Sequence, residues 1–170
     1  MRSADLLIDA FGRIREVVDS AVDGLTPDQL SWRADRDANT VAWLVWHLTR
    51  IEDDHVADAF GTEQAWTARG WAERFALPFV TAATGYGHSS AEVAAVRLDR
   101  DALSGYQHDV ADRAVELLGG VTDDDLDRVV DERWDPPITL GVRLVSVVSD
   151  GLQHAGQAAF VRGLIERLAT

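Results

Sequence analysis

The strongest constraint on the fold is the spacing of apolar residues, which follows the 3.6-residue period of an α-helix over four long segments. In the first segment the apolar side chains recur at intervals of three and four residues: Leu6, Leu7, Ile14, Val17, Val18 and Val22. The same pattern predicts long helices over residues 3–23, about 40–60, 101–118 and 139–168. No segment shows the clear apolar–polar alternation of a half-buried strand. The chain is therefore predicted to be all-α, with its four long helices packed as a four-helix bundle.

The segment between the second and third long helices, residues 61–100, is less regular. It contains a predicted short helix in "GTEQAWTARGWAERFALPF" and a glycine-containing loop, "ATGYGHSS". Ser89 and Glu92 then form a capping-box pattern that predicts the start of another short helix. We expect a long, partly helical connection here. Because no linker or internal repeat divides the sequence, residues 1–170 are predicted to form a single domain.

Charge and composition exclude several classes of function. The formal net charge is −13, which disfavours binding to nucleic acid or to an anionic membrane surface. The chain has no cysteine, so it cannot supply a thiolate ligand or a cysteine nucleophile. No segment is apolar enough to cross a membrane, and the N-terminal residues do not have the pattern of a signal peptide. We therefore expect a cytoplasmic protein.

Two of the predicted helices carry polar residues within an otherwise apolar row. On the last helix the row consists of Val147, Asp150, His154, Ala158, Val161 and Ile165. On the second helix it consists of Trp43, His47, Ile51 and Asp54. The sequence around Asp150 and His154 is apolar on both sides, which predicts a buried helix. A polar group in a core costs several kcal/mol unless it has a partner, so these residues need an explanation.

One explanation is that His47, Asp150 and His154 bind a divalent metal ion together. Two ligands four residues apart lie on one face of a helix, and a third from a facing helix leaves positions open for water or substrate. The alternatives are an ordinary Asp–His ion pair within the last helix and a hydrogen-bonded histidine in the core. Spacing alone leaves these interpretations open.

The segments "VAWLVWHLTRIEDDH" and "VVSDGLQHAGQAAFVRGLI" resemble the DinB/YfiT-like metal-binding bundles, in particular the branch of mycothiol-dependent maleylpyruvate isomerase and related thiol-S-transferases. The resemblance implies a divalent metal between helices, with His47, Asp150 and His154 as ligands. The residue at position 150 is glutamate in the isomerase branch and histidine in many other members. Asp150 is one methylene shorter than glutamate and is expected to reach less far. Gln157 stands where histidine is frequent.

The additional C-terminal domain of the longer isomerase is not recognisable in this sequence, so the resemblance favours thiol transfer over isomerisation. It implies that a mycothiol-like, low-molecular-weight thiol is transferred to a small electrophile, with a metal that activates the thiol. Zinc is the first choice of metal; nickel, iron and manganese are alternatives. The competing hypothesis is a bundle without catalytic activity that binds a small ligand or serves a structural role. We also expect a homodimer that forms through an apolar helix face.

Six further residues are candidates for contact with substrate or cosubstrate: Trp43, Asp54, His55, Tyr86, His88 and Arg162. Trp43 is expected to form a wall of the site beside His47. For three of the others a structural role is an open alternative: Tyr86 and His88 could pack their loop over the bundle, and Arg162 could pair with an acidic neighbour. No residue is assigned as catalytic.

Overall fold

A computed structural model describes residues 1–168 of the chain. Its elements, in chain order, are α1 (Ser3–Val22), α2 (Pro27–Leu30), α3 (Val41–Phe60), α4 (Ala65–Ala68), α5 (Trp71–Phe75), α6 (Ser90–Ala95), α7 (Arg100–Leu118), a 3-10 helix (Asp124–Asp127), β1 (Val129–Asp131), β2 (Ile138–Thr139) and α8 (Leu140–Leu168). The four long helices predicted from the sequence are α1, α3, α7 and α8, and the all-α prediction is confirmed. The connection from α3 to α7 is partly helical, as expected.

The long helices form a bundle in which α8 and α7 each pack against both α1 and α3. The apolar rows of these helices meet in a core of fully buried side chains, which includes Phe11, Ile14, Leu44, Leu48, Leu103 and Leu144. Close approach of α1 and α8 depends on Gly151, because a Cβ at that position would lie 2.8 Å from Cδ1 of Ile14. The bundle therefore places the middle of α8 against both the core and α3.

Helix α3 is buried over most of its surface, which explains why its polar residues need partners. Its N-cap is Thr40, whose hydroxyl oxygen accepts a hydrogen bond from the backbone N–H of Trp43 at 3.0 Å. Its C-cap is Gly61, which adopts a left-handed conformation with φ of 62°. His47 is thus held within a long, well-capped helix.

Two sequence-based predictions are wrong. The segment before α8 contains a short antiparallel hairpin, in which Val129 pairs with Thr139 and Asp131 with Ile138. Strand β1 has three residues and β2 has two, and such short strands do not show an alternating pattern in the sequence. Helix α8, predicted to be buried, exposes a face that carries Val142, Val145, Leu152 and Phe160. Among the described residues, no helix is long and apolar enough to cross a membrane.

Candidate metal centre

His47, Asp150 and His154 converge at the contact between α3 and α8. One possible ligand atom from each side chain lies within 4.8 Å of the other two. The helices run in opposite directions, since His47 lies next to His154 while His55, two turns further along α3, contacts Arg143 near the start of α8. The four-residue spacing places both α8 residues on the face that meets α3. The convergence that the sequence predicted is therefore present.

A hydrogen bond at Nδ1 orients each of the two histidine rings. Nδ1 of His47 lies 2.6 Å from the backbone carbonyl oxygen of Thr84. Because a carbonyl only accepts, Nδ1 carries the proton and Nε2 keeps its lone pair. Nδ1 of His154 lies 2.9 Å from Oε1 of Gln157, and its Nε2 lies 3.6 Å from Oδ1 of Asp150. Such outer partners fix the tautomer of metal-binding histidines.

The carboxylate of Asp150 has one oxygen that is available to bind a cation. Its Oδ2 is buried and makes no hydrogen bond with any described residue. A buried carboxylate oxygen without a partner is costly, and a cation bound at this point would remove that cost. Two imidazole nitrogens and one carboxylate oxygen are also a ligand set typical of catalytic zinc sites. The residues present therefore fit a divalent metal ion.

Burial and neighbouring groups shift the pKa values of all three residues at the site. Burial lowers the pKa of His47, although the Thr84 carbonyl acts in the opposite direction. The neighbouring carboxylate of Asp150 raises the pKa of His154. Burial raises the pKa of Asp150, but the hydrogen bonding and charge of His154 outweigh it and lower that pKa overall. Near neutral pH, the site thus combines a neutral His47 with an ionised Asp150.

Aromatic side chains and one glycine form the inner wall. The indole of Trp43 stacks on His47 with ring centroids 4.7 Å apart and meets His154 edge-on at 6.3 Å. Gly85, with φ of +96°, lets the loop backbone lie directly against the site. A Cβ at this position would lie 2.8 Å from Nδ1 of His47. Trp43 therefore lies beside the three converging residues, and the loop fits closely against His47.

Comparison with known proteins identifies the family and supports the fold. A family model described as mycothiol-S-transferase matches residues 6–167. The chain belongs to this family. A crystal structure of a conserved protein from Enterococcus faecalis is similar over 97% of this chain and 98% of that one, with a TM-score of 0.90 and 27% sequence identity. A search of curated proteins found no match. The resemblance stated from the two helical segments is thus confirmed.

Within this mycothiol-S-transferase fold, the loop residues have different surroundings. His88 packs on Phe79 and Trp46, with ring centroids 4.6 and 5.6 Å apart, and its Nδ1 accepts a hydrogen bond from Nε1 of Trp43 at 3.2 Å. The alternative in which Tyr86 also packs the loop over the bundle is wrong, because Tyr86 is 90% exposed. A role for either residue in substrate binding stays a prediction.

Asp54 and His55 lie along the α3–α8 contact beyond the three converging residues. Asp54 accepts a hydrogen bond from Gln64 at 2.8 Å and lies 3.7 Å from His55. Nδ1 of His55 lies 3.1 Å from a guanidinium nitrogen of Arg143, which is also paired with Asp131 at 2.8 Å. Burial lowers the pKa of His55, and Arg143 lowers it further. Neither Asp54 nor His55 is among the residues that could hold the ion.

Arg162 lies at the other end of α8, away from the centre. It pairs with Glu166 at 2.8 Å, as the alternative interpretation expected. It also donates hydrogen bonds to the backbone carbonyls of Ala21 and Asp23 at the end of α1. These contacts are typical of a cation at a helix C-terminus, and they join α8 to α1.

The backbone that supports His47 was not predicted from the sequence. The contacts are made by the backbone carbonyl of Thr84 and by Gly85, which has no side chain, so neither can be recognised from a residue type. Only the glycines of "ATGYGHSS" indicated an unusual backbone there. Arg143 was missed because an arginine near a helix start reads as solvated.

Proposed function

We propose that this member of the mycothiol-S-transferase family is a metal-dependent enzyme that transfers a low-molecular-weight, mycothiol-like thiol to a small electrophile. One observation carries the proposal: three side chains of metal-binding type converge, with the two histidine rings oriented by outer hydrogen bonds and a carboxylate oxygen left without a partner. Neither the simple ion pair nor the hydrogen-bonded core histidine accounts for the unpartnered oxygen.

The ligand set favours zinc, because two imidazoles and one carboxylate with open positions are typical of catalytic zinc sites. Nickel, iron and manganese are the alternatives, since imidazole and carboxylate ligands also suit these ions. His47, Asp150 and His154 would hold the ion. When bound, a divalent ion would supply the Lewis acidity that lowers the pKa of a thiol into the neutral range.

The chain contributes the surroundings rather than the nucleophile. It has no cysteine, so a nucleophilic sulfur must come from a cosubstrate. The side chains of Asp150 and His154 are 34% and 20% exposed, so a small molecule can reach the centre from solvent. Trp43 shields the opposite side of the His47 ring from water. A small electrophile can therefore approach the thiol from the solvent-exposed side of the centre.

The decisive experiment measures the metal content and turnover of protein purified without a histidine tag. We expect one zinc ion per chain and transfer of a thiol to a generic electrophile. His47→Ala should lose both, whereas His108→Ala should lose neither, because His108 pairs with Asp19 between α7 and α1. Stoichiometric metal without turnover would favour the ligand-binding alternative, and absence of metal from the parent protein would favour the structural one.

The homodimer is a second part of the proposal. Every exposed residue of α8 from Val145 to Phe160 is uncharged, in a chain with a net charge of −13. Two copies would meet here without the repulsion that other surfaces carry. Light scattering should give the mass of a dimer for the parent protein and of a monomer for Leu152→Glu. A parent monomer would refute this part.

A further inference from the structure

The guanidinium of Arg50 is the most deeply buried charge next to the candidate metal centre. Arg50 is 0% exposed, although an isolated charge in a protein interior is strongly disfavoured by loss of hydration. It lies three residues after His47 on α3, so the two side chains leave neighbouring parts of one helix face. The burial of Arg50 therefore depends on its hydrogen bonds and on a partner of opposite charge.

Arg50 binds the same loop segment that orients His47. Its Nε donates to the backbone carbonyl of Ala83 at 3.2 Å, and the next carbonyl, that of Thr84, accepts from Nδ1 of His47. Two consecutive carbonyls of one loop are therefore held by two side chains one helical turn apart. The Arg50 contact thus lies one peptide unit before the carbonyl that orients the His47 ring.

A buried network holds Arg50 in that position. Its Nη1 donates to Oε1 of Gln64 at 2.9 Å and to the hydroxyl of Tyr106 at 3.3 Å, and its guanidinium carbon lies 4.9 Å from the centre of the Trp66 ring. The carboxylate of Asp53, 3.8 Å away, supplies the opposite charge. The planar fork of arginine can make these contacts and still reach Ala83, which a single ammonium group cannot do.

The network also fastens the rest of the connection. Asp53 accepts hydrogen bonds from the backbone N–H groups of Ala65 and Trp66 at 2.8 and 2.7 Å, and from the hydroxyl of Tyr106 at 2.8 Å. The indole N–H of Trp66 donates to the carbonyl of Thr81 at 2.8 Å. The connection is thus anchored to Asp53 of α3 at Ala65 and Trp66, and Trp66 in turn holds Thr81, three residues before Thr84.

We propose that Arg50 is a positioning residue for His47, acting through the Ala83–Thr84 backbone. The proposal rests on the proposed function in so far as His47 is a metal ligand. Without the Arg50 contact, the Thr84 carbonyl loses its support and the His47 ring samples both tautomers. Metal affinity then falls although no ligand has changed.

The test uses two readouts on the full chain. Nitrogen-15 NMR of the metal-free protein at about pH 8 reports the tautomer of the neutral His47 ring. In the parent protein we expect the proton on Nδ1, and in Arg50→Met a mixture of both tautomers. Calorimetry should show that the zinc affinity of Arg50→Met is about tenfold or more below that of the parent, as for other losses of outer hydrogen-bond partners.

Two further variants separate positioning from folding. Arg50→Lys keeps a positive charge beside Asp53 but cannot replace the planar fork, so it should fold and still show the mixed tautomers and the weaker zinc binding. Thr49→Ala is the matched control, because it shortens a fully buried side chain of α3 whose hydroxyl donates to the carbonyl of Val45 at 2.8 Å, within the helix and outside the Arg50 network. It should lower stability and leave the His47 tautomer and the zinc affinity unchanged.

The proposal is overturned if Arg50→Lys folds and keeps the parental tautomer and zinc affinity. It is also overturned if Thr49→Ala loses zinc affinity as strongly as the Arg50 variants. A parent protein that binds no zinc refutes the proposed function instead. In that case the metal-free tautomer measurement still decides the role of Arg50.

Discussion

Replacement of Gly85 by alanine should damage the site without changing any side chain that could bind metal. Gly85 has φ of +96°, and an alanine Cβ would lie 2.8 Å from Nδ1 of His47 and 3.0 and 3.2 Å from ring carbons of Trp46 and Trp43. Real Cβ atoms essentially never approach other atoms as closely as 2.8 Å, so the loop or the ring must move. Either movement lengthens the hydrogen bond from His47 to the Thr84 carbonyl.

The same loop offers a control that isolates this contact. Gly87 has φ of +73°, but a Cβ there would meet nothing within 4 Å. Gly87→Ala therefore carries only the backbone cost of a positive φ, about 1–2 kcal/mol. Gly85→Ala carries a backbone cost of the same kind and about 1–3 kcal/mol of overpacking in addition. We expect zinc affinity to fall about 10-fold to 100-fold in Gly85→Ala, by analogy with the loss of other outer partners.

Urea denaturation of the metal-free proteins measures the two stability losses, and calorimetric titration with zinc measures the affinities. The expected result is a larger loss of stability in Gly85→Ala and a loss of zinc affinity in that variant alone. Equal stabilities and equal zinc affinities in the two variants would refute the idea that the loop backbone supports His47.

Two predictions concern groups away from the centre. Burial raises the pKa of Glu52 from 4.5 to about 8, so the unfolded chain releases this proton first and the folded state loses stability as pH rises between those values. Glu52→Gln should therefore stabilise the protein by about 3 kcal/mol more at about pH 8.5 than at about pH 5.5, and a pH-independent difference in urea denaturation would contradict the assignment. Arg162→Met removes donors to the end of α1 and should lower the free energy of unfolding by about 1 kcal/mol, with zinc affinity unchanged. Altered zinc binding would show that Arg162 acts on the centre.

Periodicity predicted the long helices and marked the polar residues within their apolar rows, whereas the resemblance to a metal-binding family implied that the three residues act together. Apolar residues at a helical period mark the buried faces, and a polar residue inside such a row is conspicuous, as His47 and His154 are. The four-residue spacing then places Asp150 beside His154 whatever the details of packing. Periodicity in effect sets both the bundle and the residues that face its interior.

The supporting loop could not be predicted in this way. The Thr84 carbonyl is a backbone group that every residue has, and its position depends on how the connection crosses α3. The exposure of Tyr86, between two glycines with positive φ, reflects the same backbone path. The β1–β2 hairpin pairs strands too short to leave a pattern. These features arise from tertiary contacts rather than from local periodicity.

The most direct test of the metal centre is a calorimetric zinc titration of Asp150→Leu against the parent protein. Asp112→Leu is the matched control, since Asp112 is a carboxylate that pairs with Arg15 between α7 and α1 and is not among the three converging residues. We expect Asp150→Leu to lose zinc affinity sharply and Asp112→Leu to keep it, because two ligands hold a divalent ion much less tightly than three. Asp150→His, which supplies a nitrogen ligand, should bind zinc as tightly as the parent or more tightly. Parental zinc affinity in Asp150→Leu would contradict the assignment of Asp150 as a ligand.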